Sequence, residues 1–566
     1  MMDRKKQLPF LLLMMFAIVF TSIGAVDLGR TPPPPPTVKV QLLAFNDFHG
    51  ALEPPSGSAG QVKVAYDPTT VYENAGGVEY LAAHVRTHAA ENPNTLLLGG
   101  GDLIGASPLI SALFHEESTI EAMNLMGMDF SSVGNHEFDK GYMELLRLQN
   151  GGEHPDGDAD GDPYYGADFQ YLASNVYIDS TGKRLFPAYK VVNFNGVRVG
   201  LIASTYEATP SIVTPAGVAG LEFKQEIAQI NAAAKILKRM KVKTIVVLIH
   251  NGGAVPSTTL YNECAGLSGD ILHILEGTDP EIDVFITGHT HGAYNCNING
   301  RIVTGAMSNG RILTDIDLTI SRKTGNVIQA QAANHIVTRT VAKDADMTAL
   351  VTKYKNLTAP IANEVIGSIT ANITRTAGAN GESPLGDVIA DAQLADSAGE
   401  SAVIAFMNPG GIRADLTYAQ SAANEGDGNV TYGEAFTVQP FYNYLTTIDL
   451  KGSDIKAVLE QQFDNPSVGS NRILQISNGF TYTWSASAAK GSKVSNMMLG
   501  GVAIDLDATY RVTCNNFLAT GGDNFTAFTA GTNLVYGRFD IDAFVDYLGD
   551  HSPVAPPAAN RITVVP

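Results

Sequence analysis

Nearly every short apolar run in the first half of the chain gives way, at its carboxyl end, to side chains that bind metal ions, and this pattern narrows the fold more than any other feature. The run 38–45 leads into Asn46-Asp47-Phe48-His49-Gly50, and 95–98 leads into Gly99-Gly100-Gly101-Asp102. A third segment gives Gly134-Asn135-His136-Glu137-Phe138-Asp139. The run 242–249 ends in His250-Asn251-Gly252, and 282–287 ends in Gly288-His289-Thr290-His291. Stretches with helical spacing, 78–90 and 223–238, lie between them, and the alternation is that of an α/β domain. Such sheets collect their sites in the crevice beyond the strand carboxyl ends, so these side chains are expected to converge on one cleft.

Imidazole and carboxylate without thiolate suit borderline divalent ions: zinc, manganese, cobalt or iron. Asp47, His49, Asp102, Asn135, His250, His289 and His291 exceed the needs of one tetrahedral ion and suit two ions that share a carboxylate. Asp102, alone behind three glycines, is the expected bridge. Two ions about 3.5–4 Å apart activate a water and clamp a phosphoryl oxygen during in-line displacement. His136 has Asp139 three residues on, a spacing at which a carboxylate orients and charges an imidazole. A histidinium there stabilises charge on a transferring phosphoryl group and assists the leaving oxygen. The other histidines, His84, His88, His115, His154, His273, His335 and His551, read as surface or core residues.

A chain of 566 residues exceeds one ordinary core. Its 45% hydrophobic and 17% charged content is that of a globular protein. A formal net charge of −20 argues against nucleic acid polymers as partners, while local arginines or metal ions can still hold a small anion. Asp3-Arg4-Lys5-Lys6, the apolar stretch 8–20 and the small residues at 22–25 read as an export signal over 1–26. A proline-rich linker, 27–37, follows it. The apolar stretch is short for a membrane span, so the expected location is periplasmic or secreted, without stable membrane insertion after cleavage. The three cysteines exclude a cysteine-rich metal site. Cys264 and Cys296 can pair in an oxidising compartment, which would stabilise by about 3–4 kcal/mol in the chain-entropy model.

The organisation read from these changes of character is a first α/β domain over 38–341, a helical bridge over 342–365 and a second mixed α/β segment over 366–566. Met347, Leu350, Val351, Tyr354 and Leu357 are placed on one face of the bridge. The second segment opens with a helix over 384–395 and carries glycine-rich loops at 408–413 and 520–524. The loop Asp156-Gly157-Asp158-Ala159-Asp160-Gly161 opens like a calcium loop, but Ala167 stands where the bidentate glutamate belongs, so it reads as a solvated turn.

The metal-ligand motifs resemble those of the calcineurin-like metallophosphoesterases, and more closely those of the 5′-nucleotidase branch, which includes UDP-sugar hydrolases. The resemblance implies a four-layer α/β/β/α metallophosphoesterase domain, a linker helix and a smaller C-terminal α/β nucleotide-binding domain. It places Asp47, His49, Asp102 and His291 around one metal, and Asp102, Asn135, His250 and His289 around the other. His136 with Asp139 matches the family's catalytic dyad. Asn408-Pro409-Gly410-Gly411-Ile412-Arg413 matches its phosphate and ribose loop, with Asn408, Gly410, Gly411 and Arg413 as contacts and Pro409 as a stiffening departure. Arg375 is similar in position to its first substrate arginine, Phe441 and Phe517 to the two aromatics that sandwich the base, and Asp523 to a carboxylate near the base or ribose. The residue types suit these roles, since arginine grips phosphate bidentately and base–aromatic stacking is worth about 1–3 kcal/mol per base.

The expected activity is therefore release of phosphate from nucleoside 5′-monophosphates, with a small nucleotide as substrate and two divalent ions as cofactors. UDP-sugar hydrolysis, 2′,3′-cyclic-nucleotide phosphodiesterase with 3′-nucleotidase activity and, more distantly, thiosulfate-ester hydrolysis remain open, because pocket details decide among them. A secreted binding protein without turnover is the reading from another class, and the intact ligand motifs speak against it.

Overall fold

A strand covered on both faces must be apolar on both, and the run that opens the first domain shows this. The computed structural model describes residues 36–65, 71–157, 159–421 and 423–566. The expected signal 1–26 and nearly all of the linker 27–37 lie outside them. Strand β1 (Thr37–Phe45) is buried from Val40 onward. It is followed by helix α1 (Val78–Ala89), β2 (Thr95–Gly99), β3 (Phe130–Ser132) and β4 (Gln170–Leu172). Next come β5 (Tyr189–Phe194), β6 (Val197–Thr205), α2 (Glu226–Arg239), β7 (Thr244–His250), α3 (Asp270–Gly277) and β8 (Val284–Thr287). Strands β9 (Ala293–Ile298), β10 (Arg301–Ala306), β11 (Ile312–Ser321) and β12 (Val327–Ile336) complete this part.

These strands form two six-stranded sheets, ordered β12-β11-β1-β2-β3-β4 and β9-β10-β8-β7-β6-β5. Strands β1 to β4 run parallel, as do β6, β7, β8 and β10, and antiparallel strands close every edge but that of β4. Period-two alternation sorts the side chains of β1. Val40, Leu42 and Ala44 meet Leu201, Val246 and Ile286 of the second sheet. Leu43 and Phe45 face the other way, against Leu81, Ala82 and Val85 of α1. Ile230 and Leu237 of α2 and Ile271 and Ile274 of α3 cover the outer face of the second sheet. The order of layers is helix, sheet, sheet, helix.

Helix α4 (Ala345–Ala362) is shorter than the 342–365 bridge, because the Asp344 side chain caps it by accepting from the Met347 amide at 3.0 Å. Its buried stripe is Met347, Val351, Tyr354 and Thr358. Leu350 is partly buried against the core, but Leu357 falls one position off the stripe and is 41% exposed, contrary to expectation. The acidic loop also needs correction. Asp156 is exposed, but the Asp160 side chain is only 3% exposed, because α4 supplies it with Lys353 Nζ at 2.7 Å and the Tyr354 hydroxyl at 2.7 Å.

Beyond α4, helix α5 (Pro384–Asp396) begins with Ser383 as cap and proline in the first turn. Strands β13 (Ile404–Met407) and β14 (Tyr444–Lys451), helix α6 (Gly452–Glu460), β15 (Gln475–Ile476), β16 (Thr509–Asn515), β17 (Thr532–Phe539) and α7 (Asp540–Asp550) follow. The strands form a five-stranded sheet, ordered β15-β13-β16-β14-β17. Helix α6 covers one face through Ile455, Val458 and Leu459, and α5 and α7 cover the other through Ile389, Ile541 and Phe544. Leu109 of the first half packs into this second core, so the two halves share a continuous apolar contact. Cys264 and Cys296 are disulfide-bonded, and Cys514 is free and buried. Among the described residues no helix is long and apolar enough to cross a membrane.

Candidate active site

The carboxyl ends of β1, β2 and β3 in one sheet and of β7 and β8 in the other meet at one place, and every expected ligand stands there. One atom each of Asp47, His49 and His291 lies within 4.8 Å of the others, and Asp102, His250 and His289 form a second such group. Asn135 joins the second group, its Oδ1 lying 3.1 Å from His250 Nε2 and 2.9 Å from His289 Nδ1. Asp102 lies between the two, with Oδ2 at 3.1 Å from His250 Nε2 and 3.9 Å from His49 Nε2.

The backbone is bent to achieve this. Asp47, His49, Asp102, His289 and His291 all have φ between 49° and 67°, in the left-handed region that most side chains avoid. Two glycines make room directly. A Cβ on Gly134 would come within 2.1 Å of Asp102 Oδ1, and one on Gly101 within 2.5 Å of His250 Nδ1.

The donor set fits divalent metal ions. His49 Nδ1 and His250 Nδ1 each stand 2.9 Å from a backbone carbonyl, of Gly105 and Gly100. Donating there leaves each Nε2 with a bare lone pair turned into the cluster. His49 Nε2 faces His291 Nε2 at 3.1 Å, an approach of two basic nitrogens that a shared cation makes favourable. Burial holds His49 and His291 well below the usual imidazole pKa and takes His289 to about 3, which keeps them in the neutral form that binds metal. Burial pushes the Asp47 carboxyl up to about 7. Against the cost of burial, His250 and His136 hold Asp102 below the usual carboxylate range. His250 is raised against its burial by Asp102 and Asp47, and a cation placed among the three takes over that pairing.

His136 opens a short 3₁₀ turn, His136–Phe138, and its Nδ1 lies 2.8 Å from Asp139 Oδ2. Its amide donates to Asp102 Oδ1 at 2.9 Å. Burial disfavours the charged ring, yet Asp139 and Asp102 together raise its pKa above the usual value.

The C-terminal half reaches this cluster. Arg413 Nη2 stands 3.4 Å from His49 Nε2, and the Arg413 guanidinium lies 5.8 Å from the centre of the Phe441 ring. Phe441 stacks on His136 at 5.7 Å and 23°. Arg375 donates from Nη1 to the Ile412 carbonyl at 3.2 Å, next to Arg413, whose pKa is lowered first by burial and then by Arg375. Asn408 Nδ2 donates to Asp523 Oδ2 at 3.0 Å. Gly410 lies within the same loop, and Gly411 packs where a Cβ would meet the Met407 methyl at 2.5 Å. Phe517 rests on Gly522, so the two phenylalanines are engaged on different partners.

Some participants escape sequence reasoning. Glu137 lies beneath the cluster and accepts from the amides of Asp102 (3.0 Å), Leu103 (2.8 Å) and Gly134 (2.6 Å), fixing both loops. Its place inside the Asn135-His136-Glu137 motif is the only sequence signal for it. Arg472 pairs with Asp523 at 2.7 Å, and the Tyr206 ring stacks on His289 at 4.6 Å. No motif marks either of them.

Comparison with known proteins agrees with this geometry. Residues 40–293 match the model of the calcineurin-like phosphoesterases, and residues 365–530 match that of the 5′-nucleotidase C-terminal domain. The class is thus set: a metal-dependent phosphoester hydrolase. The chain is 33% identical over 538 residues to an endonuclease of Bacillus subtilis, covering 94% of this chain and 41% of that one. It is 30% identical over 544 residues to a cell wall protein of Listeria monocytogenes, covering 91% of this chain and 67% of that one. A solved 5′-nucleotidase precursor from Thermus thermophilus superposes with a TM-score of 0.76 at 26% identity, over 93% of this chain and 99% of that one. The chain belongs to the 5′-nucleotidase family.

Proposed function

We propose that the protein is an exported 5′-nucleotidase that holds two divalent ions and releases phosphate from nucleoside 5′-monophosphates. The observation that supports it best is the position of Asp102 Oδ2 between His49 and His250, with Arg413 of the other half beside the same cluster. Asp47, His49, Asp102 and His291 hold one ion, and Asp102, Asn135, His250 and His289 hold the other. When bound, such ions neutralise phosphoryl oxygens and make water acidic enough to supply the nucleophile.

The chain's own groups do the rest. His136, oriented by Asp139 at 2.8 Å, donates to a phosphoryl or leaving oxygen. Arg413 and Arg375 grip the phosphate and, with Asn408 and the glycines Gly410 and Gly411, orient the sugar. Asp523, held by Arg472 and Asn408, accepts from ribose or base. Phe441 and Phe517 present ring faces to the base. The disulfide supports export, because such bonds persist in oxidising compartments.

The test is phosphate release from AMP by the metal-loaded chain, with a chelated control. UDP-glucose, 2′,3′-cyclic AMP and a single-stranded oligonucleotide are run alongside, the last because the Bacillus relative is named an endonuclease. Fast, chelator-sensitive release from AMP is expected to exceed the others. His136→Ala is expected to lower kcat by about 10²–10⁴ with metal content unchanged. Preference for another substrate, or loss of both metals in the variant, overturns the assignment.

A further inference from the structure

Residues read from the sequence as surface or core histidines come together on the outer face of the first sheet. Leu313 lies opposite His335 in the β11–β12 pairing, and Asp315 lies opposite Ala333. Side chains alternate along a strand, so Leu313, Asp315 and His335 emerge on one face, the last two as diagonal neighbours. Leu313 packs in the core with Leu81 and Val85, so this is the face that α1 covers. Helix α1 carries His84 and His88 one turn apart and brings His88 over the pair.

The geometry is that of a ligand set. One atom each of His88, Asp315 and His335 lies within 4.8 Å of the others, and the two imidazole rings are 4.4 Å apart. The buried His88 Nδ1 makes no hydrogen bond, yet it stands 3.4 Å from both Asp315 Oδ2 and Glu91 Oε1. Donor atoms about 2.0–2.1 Å from a tetrahedral zinc are about 3.4 Å from one another, the spacing that His88 Nδ1 and Asp315 Oδ2 already have. The Asp315 carboxylate is oriented from behind. Gln41 Nε2 donates to both of its oxygens at 3.0 and 2.9 Å, and Gln41 Oε1 accepts from the Thr95 hydroxyl at 2.7 Å. Support of this kind is what fixes a metal-binding carboxylate. Clefts on either side of His335, one lined by Gln331 and Asn295 and the other by Glu73 and His84, give an ion access from solvent.

We propose that His88, His335 and Asp315 form a divalent-metal site, suited to zinc, that shares no residue with the active-site cluster. Two imidazoles and one carboxylate hold the ion from the protein, and water takes the fourth tetrahedral position. The ion ties the last turn of α1 to the β11–β12 edge of the sheet.

Zinc per chain, counted by equilibrium dialysis and elemental analysis on the full chain, tests this. His88→Ala and His335→Ala are each expected to hold one zinc fewer than the wild type, with phosphate release from AMP within about two-fold of it. An equal zinc count in a folded variant overturns the site and leaves only an ion pair between His88 and Asp315. A second measurement uses the wild type alone, with diethyl pyrocarbonate labelling mapped by mass spectrometry. Zinc is expected to protect both His88 and His335, and equal labelling with and without zinc overturns the proposal.

Discussion

At the scale of single residues, the candidate ligands are held in costly backbone conformations. A side chain in the left-handed region costs of order 1–3 kcal/mol, and five of these residues bear it within one cluster. The motifs and their order were legible because residue type and spacing reveal metal chemistry directly. The left-handed turns, and Glu137 beneath them, were not legible, because they depend on amides from separate loops converging on one carboxylate. Burial also sets a pH dependence away from the site. Asp540, at the start of α7, accepts from Asn443 Nδ2 and the Ile541 amide, and burial pushes its carboxyl up to about 7. A raised carboxyl stabilises the fold in its protonated form, fully below the unfolded value near 3.8, and this contribution is lost as pH rises through 7. Asp540→Asn is therefore expected to stabilise by up to about 4 kcal/mol at pH 8 and by almost nothing at pH 4. Denaturant midpoints at the two pH values check this, and an equal shift at both contradicts it.

At the scale of elements, helix α4 is anchored to the first half through one dominant side chain. The buried Tyr354 ring lies 4.8 Å from Phe114, and its hydroxyl stands 2.8 Å from a Glu121 carboxylate oxygen and 2.7 Å from one of Asp160. Tyr354→Ala is expected to destabilise by about 3–5 kcal/mol, since it leaves a cavity beside two carboxylates. Tyr354→Phe, which loses only the hydroxyl, is expected to destabilise by about 1–3 kcal/mol. Unfolding free energies of the two variants decide, and equal losses would show that the ring adds nothing. The helix itself was visible from its apolar spacing. Its ends and the exposure of Leu357 were not, because the Asp344 cap is a local signal that the apolar pattern does not carry and Leu357 falls one position off the buried stripe. The apolar runs likewise marked strands without showing which sheet each joins, since the order β9-β10-β8-β7-β6-β5 departs from chain order.

At the scale of the whole molecule, the cluster draws on both sheets of the first half and touches the second half through Arg413 and Phe441. Metal bound at 100 times its Kd stabilises by about 2.7 kcal/mol per site, so a chelator is expected to lower the melting temperature. Hydrogen exchange is expected to quicken first in the loops 46–49, 100–105, 134–139, 250–253 and 288–292, while β13 and β16 keep their protection. Uniform loss of protection across the chain would contradict a local role for the metals. The disulfide joins the segment that leaves β7 just after His250 to β9, which starts just after His291, so it fastens together two arms that each carry a candidate metal ligand. Oxidant supply in the surroundings thereby becomes part of the catalyst's construction. Among reducing thiols those two arms are expected to stay untethered, and in an oxidising compartment the latch closes.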